Sequence, residues 1–334
     1  MRVLIIGGTG LISTGIVKHL LARGADITMF NRSQTERRFP DSVKRITGDR
    51  NDFEAFEARF ANERFDVVID MICYMPGQAE SAARAFAGRC KQFMFCSTVC
   101  TYGVNVPRSV LVDETFTQQP ISDYGNSKLW CEQTFMQAHA DGKFNATIIR
   151  PSCTYGEGGR LIDNLEFEPV AWDRIEKNKP VLCAGDGLGL WVGTHRDDVG
   201  TFFAYGALNP KTYGQAYNAT GDDHVTWRQW YRRVANVLER DVQLLFMPAA
   251  WIVNHDPTRF TLLAEITQFH GAYSSEKARR DVPEFKPQIA FEDGAKRTLD
   301  DVRARGAWRG SDGDELYQSM VDKALAAGVE PVSA

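Results

Sequence analysis

The sequence contains no run of about eighteen apolar residues, the length a membrane-spanning helix needs. It holds no CxxC pair and no zinc-type ligand spacing, and its seven cysteines are scattered and odd in number. That argues against a disulfide framework or a metal centre and fits reduced thiols in a cytoplasm. Positive charge is not in excess: 39 Lys and Arg stand against 43 Asp and Glu, a net charge of -4. A nucleic-acid binder normally needs a basic face, so this balance makes a nucleic-acid partner unlikely. No internal repeat, low-complexity tract or long charge block appears. The chain opens with Met1-Arg2, then the apolar Val3-Leu4-Ile5-Ile6 and a glycine turn, which is unlike a secretory leader.

What is present is a chain of 334 residues, 43% hydrophobic, enough for one large domain or two modest ones. Its first half alternates short apolar runs with helical patterns. Strands are expected at 3–8, 26–31, 43–47, 67–72, 92–97 and 146–150. Helices are expected at 12–23, 52–61, 79–87 and 122–138. Strands alternating with helices imply right-handed crossovers and a parallel sheet covered on both faces, the doubly wound Rossmann arrangement of the α/β class. After Tyr155 the texture changes. Gly156, Gly158 and Gly159 mark a loop, and less regular elements follow, among them a strand at 181–183 and helices at 197–207, 226–238 and 312–327. The expected division is therefore 1–155 for a dinucleotide-binding domain and 156–334 for a smaller substrate-binding region, with a possible crossing back.

Gly7-Gly8-Thr9-Gly10-Leu11-Ile12-Ser13 lies between the first strand and the first helix. Gly7 makes the tight turn, and Gly10 lets backbone approach a pyrophosphate at the helix N-terminus, where unpaired amides and the dipole favour anions. Ser13 replaces a third glycine and is small enough for close packing. The second strand ends in Asn31-Arg32, where an acidic residue would hold the ribose 2′-hydroxyl of NAD. Asn31 does not repel a 2′-phosphate, and Arg32 can pair with one, with Arg37 and Arg38 close by. NADP is therefore slightly preferred over NAD. Asp49-Arg50 follows the third strand, where a carboxylate can meet the adenine amino group or simply cap the next helix.

Tyr124-Gly125-Asn126-Ser127-Lys128 opens a helix, and positions i and i+4 share one face. A lysine cation beside a phenol lowers the tyrosine pKa, which suits Tyr124 to exchange a proton with a hydroxyl/carbonyl pair while hydride moves to or from a nicotinamide. Thr98 ends the fifth strand, at the sheet edge where open α/β folds bind ligands, and can reach the same substrate oxygen or cap a turn.

These segments carry a resemblance. GGTGLIS at 7–13, Ser-Thr at 97–98, Tyr-Gly at 102–103, YGNSK at 124–128 and RPSCTYG at 150–156 resemble the extended short-chain dehydrogenase/reductase family, the NAD-dependent epimerase/dehydratase group, over roughly residues 1–240. The resemblance implies a catalytic Thr98, Tyr124 and Lys128, with Lys128 also on the nicotinamide ribose. Cofactor contacts are then expected from Gly7, Thr9, Gly10, Leu11, Ile12, Asn31, Arg32, Asp49, Arg50, Met71, Tyr124, Lys128 and Pro151. It also implies a sugar-like substrate and the homodimer that such proteins often form through a four-helix interface. Three positions depart from the family. Cys153 stands where an asparagine usually helps hold a nucleotide sugar. Trp191 stands where an arginine usually grips the diphosphate, ahead of His195-Arg196-Asp197-Asp198, and its indole suits an apolar sugar face or plain packing. A substrate without a nucleotide diphosphate follows, touching Thr98, Cys153 and Trp191. Val99-Cys100 replaces the Asp-Glu of the dehydratases, and Cys100 is either an acid/base thiol or a small buried side chain. His195 reads as structural.

The expected function is an NAD(P)-dependent epimerase or dehydrogenase acting on a sugar-derived hydroxyl or ketone. The competing readings are a non-catalytic RNA-binding member of the fold and a cofactor sensor.

Overall fold

The computed structural model describes residues 1–34, 39–104, 111–168 and 170–334. Arg37 and Arg38 lie outside the described residues. The chain groups into two units. The first comprises residues 1–154, 194–222 and 273–288, and the second 155–193, 223–272 and 289–334.

In the first unit the chain runs β1 (Arg2–Ile6), α1 (Leu11–Ala22), β2 (Asp26–Asn31), β3 (Lys44–Thr47), α2 (Phe53–Phe60), β4 (Phe65–Asp70), α3 (Pro76–Phe86), β5 (Cys90–Cys96), α4 (Asp123–Ala140) and β6 (Asn145–Pro151). It returns later with α5 (Arg196–Gly206) and β7 (Gln215–Ala219). Among the described residues the sheet has seven strands, ordered β7-β6-β5-β4-β1-β2-β3. Every neighbouring pair is parallel. This is the doubly wound α/β fold.

The inner strands β1, β4 and β5 are apolar on both faces because both faces are covered. Val3, Ile5, Val67, Ile69 and Met94 pack under α1 and α5 with Ile16, Leu20, Val199 and Phe202. Leu4, Ile6, Val68, Phe93 and Phe95 pack on the other side against Phe56, Phe86 and Phe135 of α2, α3 and α4. The helices α1 and α5 approach until only glycine fits between them. A Cβ on Gly15 would lie 2.3 Å from the Arg196 carbonyl oxygen, and one on Gly200 2.4 Å from the Gly15 carbonyl carbon. Ser13, read as the substitute for the third glycine, is buried and donates to the Gly7 carbonyl at 3.2 Å.

The seventh strand was not expected. Gln215–Ala219 is short and carries polar residues, so it shows no apolar period, yet it pairs with β6 and buries Asn218. In the second unit, strands Val181–Ala184 and Gln243–Met247 pair in parallel. A helix at Phe291–Ala304 was likewise not anticipated, although its apolar face is clear once seen. Among the described residues no helix is long and apolar enough to cross a membrane.

Candidate active site

Where β1, β4, β5 and β6 end, their C-terminal edges and the start of α4 enclose a cleft of about 320 Å³. That volume lies at the lower end of the roughly 300–1,000 Å³ typical of small-molecule sites. Open α/β sheets place ligands at this edge.

The glycine turn forms one wall. Gly7 has φ +85°, and a Cβ there would lie 2.4 Å from Ile72 Cγ2, so no other residue makes this turn without strain. Gly10 differs: a Cβ would meet only Ser13 Oγ, at 3.9 Å, so its face looks into open space. Gly10 is also the N-cap of α1, with no side-chain cap and no acidic residue in the first turn. The first amides of α1 are left for an anion. Leu11, Ile12, Met71 and Pro151 also line this cleft. Thr9 does not.

The three residues expected to be catalytic are brought together. Thr98 lies in extended backbone after β5, and its hydroxyl accepts from the Cys100 amide at 3.1 Å, so it does cap the turn Val99–Thr101. The same hydroxyl acts on the Tyr124 phenol, favouring its ionised form. Ser122 caps α4 by accepting the Gly125 amide at 3.0 Å, which sets Tyr124 in the first helical turn. One turn on, Lys128 is 1% exposed, and its Nζ donates to the carbonyls of Cys73 (2.9 Å) and Cys96 (2.8 Å). Thr98, Tyr124 and Lys128 all line the cleft.

One expectation is corrected here. Lys128 was to lower the Tyr124 pKa. Instead the phenol is displaced upward, first by burial, then by the thiols of Cys96 and Cys100 and the Tyr74 phenol. The Thr98 hydroxyl opposes this. The ammonium is committed to two carbonyls and stands 5.9 Å from the Tyr124 ring centre, so it does little for the phenolate. With 43% of the residue accessible, solvent screens the shift, which fixes the protonation state and not the stability. Tyr124 is therefore an un-ionised acid near neutral pH.

Other expected residues lie elsewhere. Asn31 and Asp49 sit at the ends of β2 and β3, outside this cleft. The Asn31 amide oxygen accepts from the Ser33 amide at 2.9 Å, while its Nδ2 is buried and has no hydrogen-bond partner among the described residues. Arg32 is exposed beside it. Asp49 is exposed and accepts from the Asn51 amide at 2.9 Å, whereas Asp52 caps α2. The Arg50 side chain turns inward: Nη1 holds both oxygens of the fully buried Asp70 at 2.7 and 2.8 Å, and Nη2 donates to the Gln78 carbonyl. Only its backbone is left for a cofactor. Cys100 and Cys153 do not line the cleft, although the Cys100 thiol helps raise the pKa of both Tyr124 and Tyr273. In the second unit, Trp191 is 6% exposed, stacked on Trp227 with centroids 4.8 Å apart, with the Gly271 backbone against its six-membered ring. The ring face expected to meet a sugar is thus occupied by packing. His195 is structural, capping α5 by accepting the Asp197 amide at 3.2 Å.

A buried network under the site went unread. Ser97 donates to Glu132, Arg150 holds Glu132 through Nε (2.9 Å) and Nη2 (2.6 Å), and Arg150 Nη1 donates to the Tyr102 hydroxyl (2.8 Å). Tyr102 donates on to Asn218 (2.7 Å). The available signal was Glu132 itself, a charge four residues after Lys128 on the face that also carries Cys131 and Phe135.

The residues fit a dinucleotide: a turn only glycine can make, an uncapped helix start open to space, and at Asn31 a buried amide donor with no partner among the described residues.

Residues 3–219 match the model of the NAD dependent epimerase/dehydratase family. This chain belongs to that family, the extended short-chain dehydrogenase/reductase enzymes. It is 29% identical over 251 residues to 2′-dehydrokanamycin reductase of Streptomyces kanamyceticus, covering 75% of this chain and 70% of that protein. It is 24% identical to the chloroplast stem-loop binding protein of 41 kDa b of Arabidopsis thaliana over 92% of this chain and 81% of the relative. In fold it resembles the Thermotoga maritima UDP-glucose 4-epimerase solved with UDP-glucose, at TM-score 0.74 and 18% identity, over 91% of this chain and 99% of that one. The Bacillus cereus UDP-glucuronic acid 4-epimerase solved with NAD aligns at TM-score 0.73 and 16% identity, over 92% and 98%.

Proposed function

We propose that this chain reduces a ring ketone on a sugar-like molecule without a nucleotide diphosphate, or oxidises the matching alcohol, using NADP(H). The observation that carries the reading is the convergence of Thr98, Tyr124 and Lys128 beside the Gly7–Gly10 turn in one cleft. The bound nicotinamide supplies or accepts the hydride. The residues do the rest. Tyr124 enters turnover protonated and gives its proton to the oxygen that becomes an alkoxide. Thr98, lining the same cleft, hydrogen-bonds that oxygen and fixes it in place. Lys128 keeps one N–H for a ribose hydroxyl while two hold the cleft walls. In the oxidising direction the same atoms run in reverse.

NADP is preferred because the uncharged Asn31 and the exposed Arg32 suit a 2′-phosphate. The ketone substrate is supported by the resemblance to 2′-dehydrokanamycin reductase. The absence of a diphosphate clamp is supported by Trp191 and Cys153 in the positions noted above. Cys100, set outside the cleft lining, is assigned packing and not proton transfer. The free thiols fit a cytoplasmic setting. A homodimer through α3 and α4 is supported by Trp130, 52% exposed on α4.

The test is a panel of keto sugars and aminocyclitol ketones, with UDP-glucose alongside, followed at the nicotinamide absorbance band. Stoichiometric NADPH consumption with a nucleotide-free ketone supports the proposal. UDP-glucose epimerised with no net absorbance change, and no ketone reduced, overturns it. The stem-loop binding relative favours one other reading, RNA binding. A gel shift with RNA that survives moderate salt, in a protein that turns over no ketone, would establish that instead.

A further inference from the structure

The cleft holds a second phenol. Tyr74 follows β4, lines the cleft, and is 45% exposed. Its loop is anchored. The amides of Tyr74 and Met75 both donate to Gln78 Oε1, at 2.7 and 3.2 Å, and Gln78 Nε2 donates to Asn51 Oδ1 at 2.7 Å. The Gln78 carbonyl in turn accepts from Arg50, which is locked on Asp70. A buried ion pair thus anchors the backbone that carries this ring. It stands beside the ammonium: Lys128 Nζ is 4.5 Å from the Tyr74 ring centre and 4.8 Å from that of Phe95. Both lie within the roughly 6 Å over which a ring face attracts a cation, and the attraction is largest where water is excluded. The Tyr74 ring also meets that of Tyr124, centroids 6.4 Å apart.

We infer that Tyr74 is a positioning residue for Lys128: its ring is the cleft-side wall of an aromatic and carbonyl box that holds the ammonium toward the ligand. Two ammonium protons go to the Cys73 and Cys96 carbonyls, which fix two directions. The ring restrains the remaining one. The identity of the ligand rests on the proposed function above; the contact itself does not.

Tyr74→Phe keeps the ring face and Tyr74→Leu removes it. Exposure of the residue makes folding of both variants expected, and circular dichroism checks it. In cofactor-free protein labelled with ¹⁵N-lysine, the Lys128 ammonium signal keeps its ring-current displacement and slow proton exchange in the Phe variant. In the Leu variant the displacement is lost and exchange accelerates several-fold. NADPH, titrated by its own fluorescence, binds about fivefold more weakly to the Leu variant, and Phe restores wild-type affinity. Unchanged exchange and affinity in the Leu variant overturns the inference. So does a Phe variant as impaired as Leu, since the hydroxyl would then be what matters. If the NMR contrast appears but not even wild-type protein binds NADPH, the positioning role stands and the proposed function fails.

Discussion

The sharpest consequence of the glycine turn concerns Gly10, which is separable from Gly7. Gly10 has φ -78°, an ordinary backbone, and an added Cβ would touch nothing nearer than Ser13 Oγ at 3.9 Å. Replacing glycine by alanine at a compatible backbone stabilises by about 0.4–1 kcal/mol through the unfolded chain. Alanine is a poorer N-cap than glycine, which offsets most of that gain. The net effect on folding should therefore fall within about 0.5 kcal/mol of zero. The ligand side is different. The methyl group would stand in the open space that a phosphate must enter to reach the α1 amides. Hydrogen bonds to a charged group contribute about 1.5–3 kcal/mol, so forfeiting one weakens binding roughly 10- to 150-fold. Urea unfolding and an NADPH fluorescence titration on Gly10→Ala measure the two sides. Gly7→Ala is the control: with φ +85° and Ile72 at 2.4 Å, it should lose stability as well as affinity. A Gly10→Ala protein that binds NADPH as tightly as wild type refutes the placement of the phosphate.

Arg32→Ala should weaken NADP binding about 10- to 100-fold, the loss of one charge-assisted contact, and change NAD binding less than about twofold. Equal losses measured by calorimetry would remove Arg32 from the 2′ position. Asp163, fully buried in the second unit, has its pKa pushed up to about 7, first by burial and then by Glu166. Its folded pKa is above the unfolded value, so its contribution to stability is fully present below about pH 4 and lost as pH rises through about 7. Asp163→Asn keeps an oxygen for the Leu165 and Glu166 amides and abolishes that slope. Urea unfolding should find the variant more stable than wild type by over ~1 kcal/mol near pH 8 and by less near pH 5. An equal difference at both pH values contradicts the assignment.

The inner strands were legible because they are buried on both faces and read as continuous apolar runs between glycine and helix signals. Gln215–Ala219 was not, since its place beside β6 is set by partners far away in sequence and not by its own period. The glycine turn and the Tyr124–Lys128 spacing are local patterns, and the fold gathers them in one cleft. What escaped depends on three-dimensional partners. Arg50 reads as a cofactor contact until Asp70 is seen behind it. Tyr124 looks activated by Lys128 until the ammonium is seen bonded to two carbonyls. Trp191 offers an indole in the sequence and a stacked pair in the structure.

The account stands on Tyr124 as the proton donor of a nicotinamide-dependent reduction. The direct measurement is single-turnover oxidation of bound NADPH by a reactive ketone in wild-type and Tyr124→Phe protein, with NADPH affinity measured beside it. General acid catalysis predicts a rate about 10²- to 10⁴-fold lower in the variant with affinity nearly intact. A Phe variant that turns over at the wild-type rate contradicts the claim.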